Sequence, residues 1–309
     1  MNEKTLDKMI QYIYSSSVWF KLTIICIIIV CIYLFNKENI NKEGFIQREK
    51  FIIKYNEEIY DDFYATIYKK INFDILKNEY EVGSIINSTH PTSSSLILDI
   101  GSGTGEHVNH FNKKGFKAIG LDKSQSMIAV ANQEYPDLEF LNGNVANNMM
   151  FSPHSFTHIT CFNYTLYEIE NKLAFFNSCY EWLRPGGFLI VHIVNKNNFS
   201  PTLNKADPLK IRSNSLFGSK TNNVNKINFE DITYKKIFNI EKNKTETEIT
   251  EIFKDSNNKV RKHIQKIQLP SKSEILSKAK QVGFIEDSII NLNAVNYNNE
   301  YLYILYKPE

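Results

Sequence analysis

The stretch Leu96–Gly105, LILDIGSGTG, decides how the rest of this 309-residue chain is read. Leu96, Ile97, Leu98 and Ile100 make a short apolar run of the kind that buried parallel strands show. Asp99 stands near its end, and Gly101, Gly103 and Gly105 follow at alternate positions, with Ser102 inside the turn. The next residues, EHVNHFNKKG, predict a helix stopped by Gly115. Strand, glycine turn and helix together form the place where an open α/β sheet receives nucleotide-like ligands. Glycines serve there because a side chain would block close approach, and because some backbone angles suit glycine alone.

The spacing of the glycines separates two ligand classes. The dinucleotide fingerprint is G-x-G-x-x-G. This chain has G-x-G-x-G, with an acid two residues ahead of it. The pattern D/E-x-G-x-G-x-G, carried by Asp99, Gly101, Gly103 and Gly105, resembles motif I of the class I S-adenosylmethionine (SAM)-dependent methyltransferases of the type 11/25 kind. The resemblance implies an α/β, Rossmann-like seven-stranded sheet with SAM as cofactor. It places Asp99, Gly101, Ser102, Gly103 and Gly105 at the cofactor.

Downstream segments extend the resemblance. Phe116–Leu121 predicts a second strand ending at Asp122, where a carboxylate can accept hydrogen bonds from both ribose hydroxyls, a device that NAD enzymes share. The following KSQSM is similar to the family pattern D-x-S-x-x-M, which implies cofactor contacts from Lys123 and Met127, the latter near the adenine ring. Leu138–Leu141 predicts a third strand, followed by NGNV. Asn144 stands where the family commonly has an acid, and its amide oxygen can still accept from the adenine amino group. Val145 would offer its backbone N–H to the ring.

Ser155–Phe162 predicts a fourth strand, with Thr157 in place of another family acid, His158 in a core position and Phe162 at the cofactor. The loop NYTLYEIE comes next, and in this fold it faces the transferring methyl group. Asn163, Tyr164 and Tyr167 are therefore candidates for substrate contact. After an amphipathic helix over Asn171–Leu183, the phrase W-L-R-P-G-G-x-L at Trp182–Leu189 matches the family closely. Pro185 ends the helix, Gly186 and Gly187 turn the chain, and Phe188–Val194 enters a fifth strand, so its role is structural. His192 is the one titratable group in that strand, a candidate base or substrate ligand as well as a core residue.

The flanks supply a cap and a lid. Gly44 to about Asn87 reads as two helices, from the four-residue recurrence of Phe51, Tyr55, Ile59 and Phe63 and the neighbouring stripe Tyr60, Tyr64 and Tyr68. In similar small-molecule enzymes such tyrosines close over the methyl donor. NSTHPTSSS is a polar break before the core. Residues 195–225 form a long polar connection. INFEDITYKKIFNI, ETEITEIFKD and KVRKHIQKIQL then alternate with period two and predict an antiparallel meander of three strands, placed where relatives of the family insert a β-lid. A helix from Pro270 to Val282, capped by Gly283, and two closing strands at Phe284–Leu292 and Glu300–Tyr306 complete the core.

Near the N-terminus, Val18–Phe35 contains one charge, Lys21, and is close to the ~20 residues a membrane helix needs. No small-residue cleavage site follows, which argues against a signal peptide. The expected organisation is a tail at 1–17, a transmembrane helix at 18–35, a linker and helical cap at 36–95, the SAM-binding core at 96–194, a loop and β-lid at 195–269, and the closing elements at 270–309. This predicts a single-pass membrane protein whose catalytic domain faces the cytosol, where SAM is made.

The formal net charge of +2 argues against a general nucleic-acid binder. Four cysteines without paired spacing make neither a disulfide framework nor a metal site. The expected function is methyl transfer from SAM to a small-molecule or lipid-like acceptor. Two rivals stand beside it: a tethered non-catalytic scaffold that keeps the fold, and an NAD-dependent oxidoreductase.

Overall fold

The computed structural model describes residues 17–27, 30, 49–196, 220–229, 232–241 and 245–309. The chain divides into Met1–Arg48 and Glu49–Glu309. In chain order the second unit contains β1 (Phe51–Tyr55), α1 (Asp62–Asn72), α2 (Ile75–Thr89), β2 (Leu96–Ile100), α3 (Glu106–Lys113), β3 (Lys117–Asp122), α4 (Gln125–Glu134), β4 (Glu139–Asn142) and β5 (Phe156–Cys161). There follow α5 (Thr165–Glu168), α6 (Lys172–Trp182), β6 (Leu183–Val194), β7 (Lys220–Phe229), β8 (Ile232–Glu241), β9 (Glu246–Asp255), β10 (Val260–Gln268), α7 (Lys272–Val282), β11 (Ile285–Asn291) and β12 (Glu300–Tyr306).

A seven-stranded sheet with the order β11-β12-β6-β5-β2-β3-β4 forms the core. β6, β5, β2, β3 and β4 run parallel, while β12 is antiparallel to both β6 and β11. Period-two alternation sends neighbouring residues of one strand to opposite faces. Ile97 packs with Val82, Val108, Phe111 and Ile128 of α2, α3 and α4. Leu98 and Ile100 pack on the other face with Phe175, Cys179 and Trp182 of α6 and Ile275 of α7. Each fully buried large side chain contributes roughly 1.5–3 kcal/mol relative to exposure. β2 lies between β3 and β5, so the crevice beyond its carboxyl end is the switch point where such sheets take ligands.

Trp182–Leu189 departs from the expected turn: the helix ends at Trp182, β6 begins at Leu183 rather than Phe188, and residues 184–187 bulge out of it, since Leu183 pairs with Phe156 and Phe188 with His158. The Trp182 indole is fully buried and donates to the Asn148 carbonyl at 2.7 Å. Gly186 turns the chain at φ +76°.

A second sheet of five strands, β1-β10-β9-β8-β7, forms the lid. It corrects two expectations. The meander has four strands rather than three, because INFEDITYKKIFNI is divided between β7, ending at Phe229, and β8, starting at Ile232. Its fifth member, β1, comes from the segment read as helical and pairs in parallel with β10 from Phe51↔Val260 to Tyr55↔Ile264. Residues spaced by four share a face in a strand as well as in a helix, so the recurrence of Phe51 and Tyr55 was compatible with both. The cap proper is α1 and α2, opened by Asp61 and Asp74, whose carboxylates accept from backbone N–H groups of Tyr64 and of Leu76 and Lys77.

In Met1–Arg48, residues 18–27 are helical, opened by Ser17, whose Oγ accepts from Phe20 N–H at 3.4 Å. The expected transmembrane helix and single-pass localisation are corrected here: among the described residues no helix is long and apolar enough to cross a membrane. At about 1.5 Å per residue, residues 18–27 reach roughly half of a ~30 Å hydrocarbon core. Residues 28, 29 and 31–35 of the predicted span lie outside the described residues.

Candidate functional site

The carboxyl ends of β2, β3, β4 and β5, the cap helix α1 and the lid strands enclose one cavity of about 630 Å³. Its floor is the glycine turn. Gly101 N–H donates to the Leu121 carbonyl at 2.8 Å, and Gly103 N–H donates to Asp122 Oδ2 at 2.8 Å. The second carboxylate oxygen, Oδ1, accepts from Ser124 N–H at 2.8 Å. Asp122 is thus locked to both the turn and the start of the next helix, and both oxygens retain lone pairs for a ligand. Enclosure raises its pKa, which the bonds from Ser124, Gly103 and Lys123 oppose.

The three glycines differ in purpose. A Cβ on Gly101 would meet Thr165 Cγ2 at 2.4 Å, and one on Gly105 would meet Phe140 Cζ at 2.6 Å, so these two are packing requirements. Gly103 has φ +55° and faces the cavity, where a Cβ would touch only the Tyr68 ring, at 3.4 Å. Its bare backbone leaves the cavity floor open to close approach.

Not every expected site residue reaches the cavity. Gly101, Gly103, Asp122, Lys123, Met127, Asn144, Val145 and Tyr164 line it. Lys123 is held by an ion pair to Glu57. Asn144 Oδ1 accepts from Ala146 N–H at 2.9 Å, closing a local turn and leaving a second lone pair. Asp99 stands behind the turn, 1% exposed, its Oδ1 accepting from Thr160 Oγ1 at 2.8 Å, and burial pushes its pKa up to about 6. Ser102 and Gly105 belong to the turn but are absent from the cavity wall. Phe162 is buried and stacks on His107 with ring centroids 3.7 Å apart.

Two of the three catalytic candidates are also placed in supporting positions. The Tyr167 hydroxyl accepts from Val194 N–H at 2.8 Å, pinning the end of β6. His192 is fully buried, with Nδ1 donating to the Asn163 carbonyl at 2.6 Å and Nε2 3.0 Å from Glu300 Oε2. Neither His192 nor Tyr167, expected as candidates for substrate contact, lines the cavity. Behind Asn163, which lines the cavity at φ +52°, the Lys77 ammonium reaches both Asn163 Oδ1 at 2.6 Å and Glu81 Oε1 at 2.9 Å.

The wall above the cradle carries residues that sequence reasoning missed. Glu168 projects from α5 into the cavity, where both carboxylate oxygens accept from the Tyr60 hydroxyl, at 2.7 and 2.8 Å. Gln265 Nε2 of β10 donates to the same tyrosine oxygen at 3.1 Å. Glu168 is open to the cavity yet surrounded by protein, and this enclosure pushes its pKa up to about 7 against the bonds from Tyr60 and Gln265. Its only sequence signal was an acid one helical turn beyond Tyr164. Tyr60, Tyr64 and Tyr68 all line the cavity.

These residues suit SAM. The cavity is within the size range of small-molecule sites. The cradle at Gly103 admits backbone contact, Asp122 offers acceptors for paired hydroxyls, and Asn144 and Val145 offer an acceptor and an N–H at the far wall. The chain's comparisons with known proteins agree. Residues 97–187 match the methyltransferase-domain family. A demethylmenaquinone methyltransferase of Chlorobaculum tepidum is 33% identical over 104 residues, covering 33% of this chain and 42% of the relative. A dTDP-3-amino-3,4,6-trideoxy-alpha-D-glucopyranose N,N-dimethyltransferase of Streptomyces venezuelae is 29% identical over 136 residues, covering 43% of this chain and 55% of the relative. The chain thus spans about half the length of the curated relatives it matches. The crystal structure of an S-adenosylmethionine-dependent methyltransferase from Clostridium acetobutylicum superposes with a TM-score of 0.61 at 15% identity, covering 80% of this chain and 98% of that one.

Residues 97–187 thus match a methyltransferase domain, and the sheet around them has the Rossmann-like class I methyltransferase fold. An NAD-dependent oxidoreductase and a non-catalytic scaffold are not favoured by these likenesses.

The weight of Asp122 is measurable. Asp122→Ala is expected to weaken SAM binding by about 1.5–3 kcal/mol, the range for hydrogen bonds to a charged group. Calorimetric titration with SAM checks it, and an unchanged affinity would remove Asp122 from the site.

Proposed function

We propose that this chain transfers the methyl group of SAM to a small-molecule acceptor held between the tyrosine cap and the β-lid. The observation that carries this reading is the continuity of one cavity from Gly103 and Asp122 to Lys236, Phe238, Ile249 and Gln265 of the lid. SAM, when bound, supplies an electrophilic methyl group with a neutral thioether as leaving group. Gly103 and Asp122 would hold its ribose end, and Asn144 and Val145 its adenine edge. What the protein then has to do is align an acceptor and exclude water. Tyr60, Tyr64 and Tyr68 roof the cavity, and Phe238 and Ile249 give the acceptor side an apolar wall.

Both curated relatives carry small-molecule methylation in their names, one of a quinone and one of an amino sugar, which supports an acceptor of that size here. The test is labelling from tritiated-methyl SAM across fractionated small molecules, lipids and proteins of the host cell. Label is expected in the small-molecule fraction. Label confined to protein would overturn the reading.

A further inference from the structure

Most charged groups of the cavity wall sit in ion pairs. Lys123 pairs with Glu57, Lys77 with Glu81, and Lys236 with Glu251 at 3.2 Å, while Glu300 lies 3.0 Å from His192 Nε2. Asp122 spends its charge on two backbone N–H groups. Glu168 differs: among the described residues no Lys, Arg or His nitrogen lies within 4.0 Å of it, and its partners are the neutral Tyr60 and Gln265. Glu168 and Glu170 are both exposed carboxylates of the wall without such a pair among the described residues, and Glu168 is the one held against the Tyr60 hydroxyl.

The surfaces around Glu168 are aromatic. Tyr60 and Tyr64 meet edge to face with centroids 5.6 Å apart, and Tyr64 and Tyr68 at 5.7 Å. A carboxylate beside aromatic rings is the environment that attracts an ammonium group. A neutral acceptor would leave Glu168 uncompensated, and an anionic one would add like charge beside it.

We propose that the acceptor is an amine that enters protonated, and that the Glu168 carboxylate recognises its ammonium group and takes its proton. This rests on reading the cavity as a methyl-transfer site. The balance is simple: an N–H bond of R–NH3+ breaks, an O–H bond forms on Glu168, and R–NH2 is left with a free lone pair as the nucleophile. The proton returns to solvent when the cavity empties. The groups that face Glu168 are Tyr60, Tyr68 of α1, Asp122 of β3, Lys236 of β8 and Gln265 of β10. Their sum leaves the carboxyl near neutrality in pKa, where proton exchange with an amine is easy.

The test is binding rather than turnover. The full chain, loaded with S-adenosylhomocysteine, is titrated calorimetrically with amino sugars, alkanolamines and arylalkylamines, each against its hydroxyl counterpart, glucosamine against glucose first. At least one amine is expected to bind about tenfold or more tighter than its counterpart, and Glu168→Gln to lose that preference while S-adenosylhomocysteine affinity stays within about twofold. Amine affinity is expected to fall as pH drops through about 7. Tyr60→Phe, which removes a bond that lowers the Glu168 pKa, should move that fall to higher pH. Equal binding of hydroxyl counterparts, absence of binding by every amine, or an unaltered preference in Glu168→Gln would overturn the proposal. So would a Glu168→Gln variant that loses SAM but keeps S-adenosylhomocysteine, since that would assign the carboxylate to the sulfonium charge. Failure of the wild-type chain to bind S-adenosylhomocysteine at all would instead strike the methyl-transfer reading beneath it.

Discussion

Replacing Gly103 with valine is expected to abolish SAM binding and leave the fold standing. The residue sits at φ +55°, where a β-branched side chain is strained by about 1–2 kcal/mol. That is a tolerable loss for a domain of this size, and no backbone blocks the new Cβ: its nearest neighbour is the Tyr68 ring at 3.4 Å. The two γ-methyl groups must then occupy the cavity itself, over the cradle that Gly103 N–H and Asp122 share.

The expected result is no saturable heat on titration with SAM up to ~1 mM, where wild-type-like binding of even about 4 kcal/mol would register. Circular dichroism should remain native. The neighbouring glycines provide the contrast. Gly101→Ala collides with Thr165 and Gly105→Ala with Phe140, so those variants should lose stability first. Retained SAM affinity in Gly103→Val would place the cofactor elsewhere.

The second large effect is expected in the lid. Glu251 of β9 is buried and accepts from the hydroxyls of Tyr64 at 3.1 Å and Tyr234 at 2.5 Å, with Lys236 Nζ 3.2 Å away. His263 Nδ1 lies 3.6 Å from the other carboxylate oxygen, and Arg261 donates to His263 Nε2 at 2.7 Å while pairing with Asp61 at the start of α1. Lid and cap are joined through this cluster.

Glu251→Ala leaves the Lys236 charge buried without its partner and strands two tyrosine hydroxyls. The expected cost is roughly 3–5 kcal/mol, a fall in melting temperature of roughly 6–20 °C. A loss under about 1 kcal/mol, the value of an exposed pair, would show that the cluster is solvated.

The pH dependence has a definite sign. Burial alone would raise the Glu251 pKa, but Lys236, His263 and Tyr234 hold it well below the carboxylate range. A depressed carboxylate contributes stability above its unfolded pKa, about 4.3, and that contribution is lost as pH falls toward the folded value. Wild-type stability should therefore drop more steeply than that of Glu251→Ala as pH falls below about 4.3, which denaturant titrations at stepped pH would measure.

The methyltransferase core was legible because its signals are local. A buried parallel strand reads as an unbroken apolar run, and Leu96–Ile100 has one. A glycine turn, an acid at a strand end and a Pro-Gly-Gly break each state their geometry within a few residues. The lid was harder. Its alternation was visible, yet β1 was hidden because four-residue spacing fits two periods, and its partner β10 lies some two hundred positions away in the chain.

The site shows the same division. Asp122 and Gly103 follow from the motif, since the parallel pairing of β2 with β3 sets the glycine turn beside the end of the next strand. Asp99, Tyr167 and His192 look equally chemical in one dimension, but none of them lines the cavity, and Thr160, Val194 and Asn163 take up their hydrogen bonds. Glu168 looked like an ordinary helical acid. Its character comes from Tyr60, 108 positions earlier, and Gln265, far later, which together enclose it without neutralising it.

Read alone, the amino-acid order settled the fold class and the methyl donor, because both depend on backbone geometry written in glycines, prolines and apolar periods. Only the folded chain decided which polar groups face the cavity. Burial and charge compensation are sums over residues distant in sequence, and the LILDIGSGTG stretch carries no record of them.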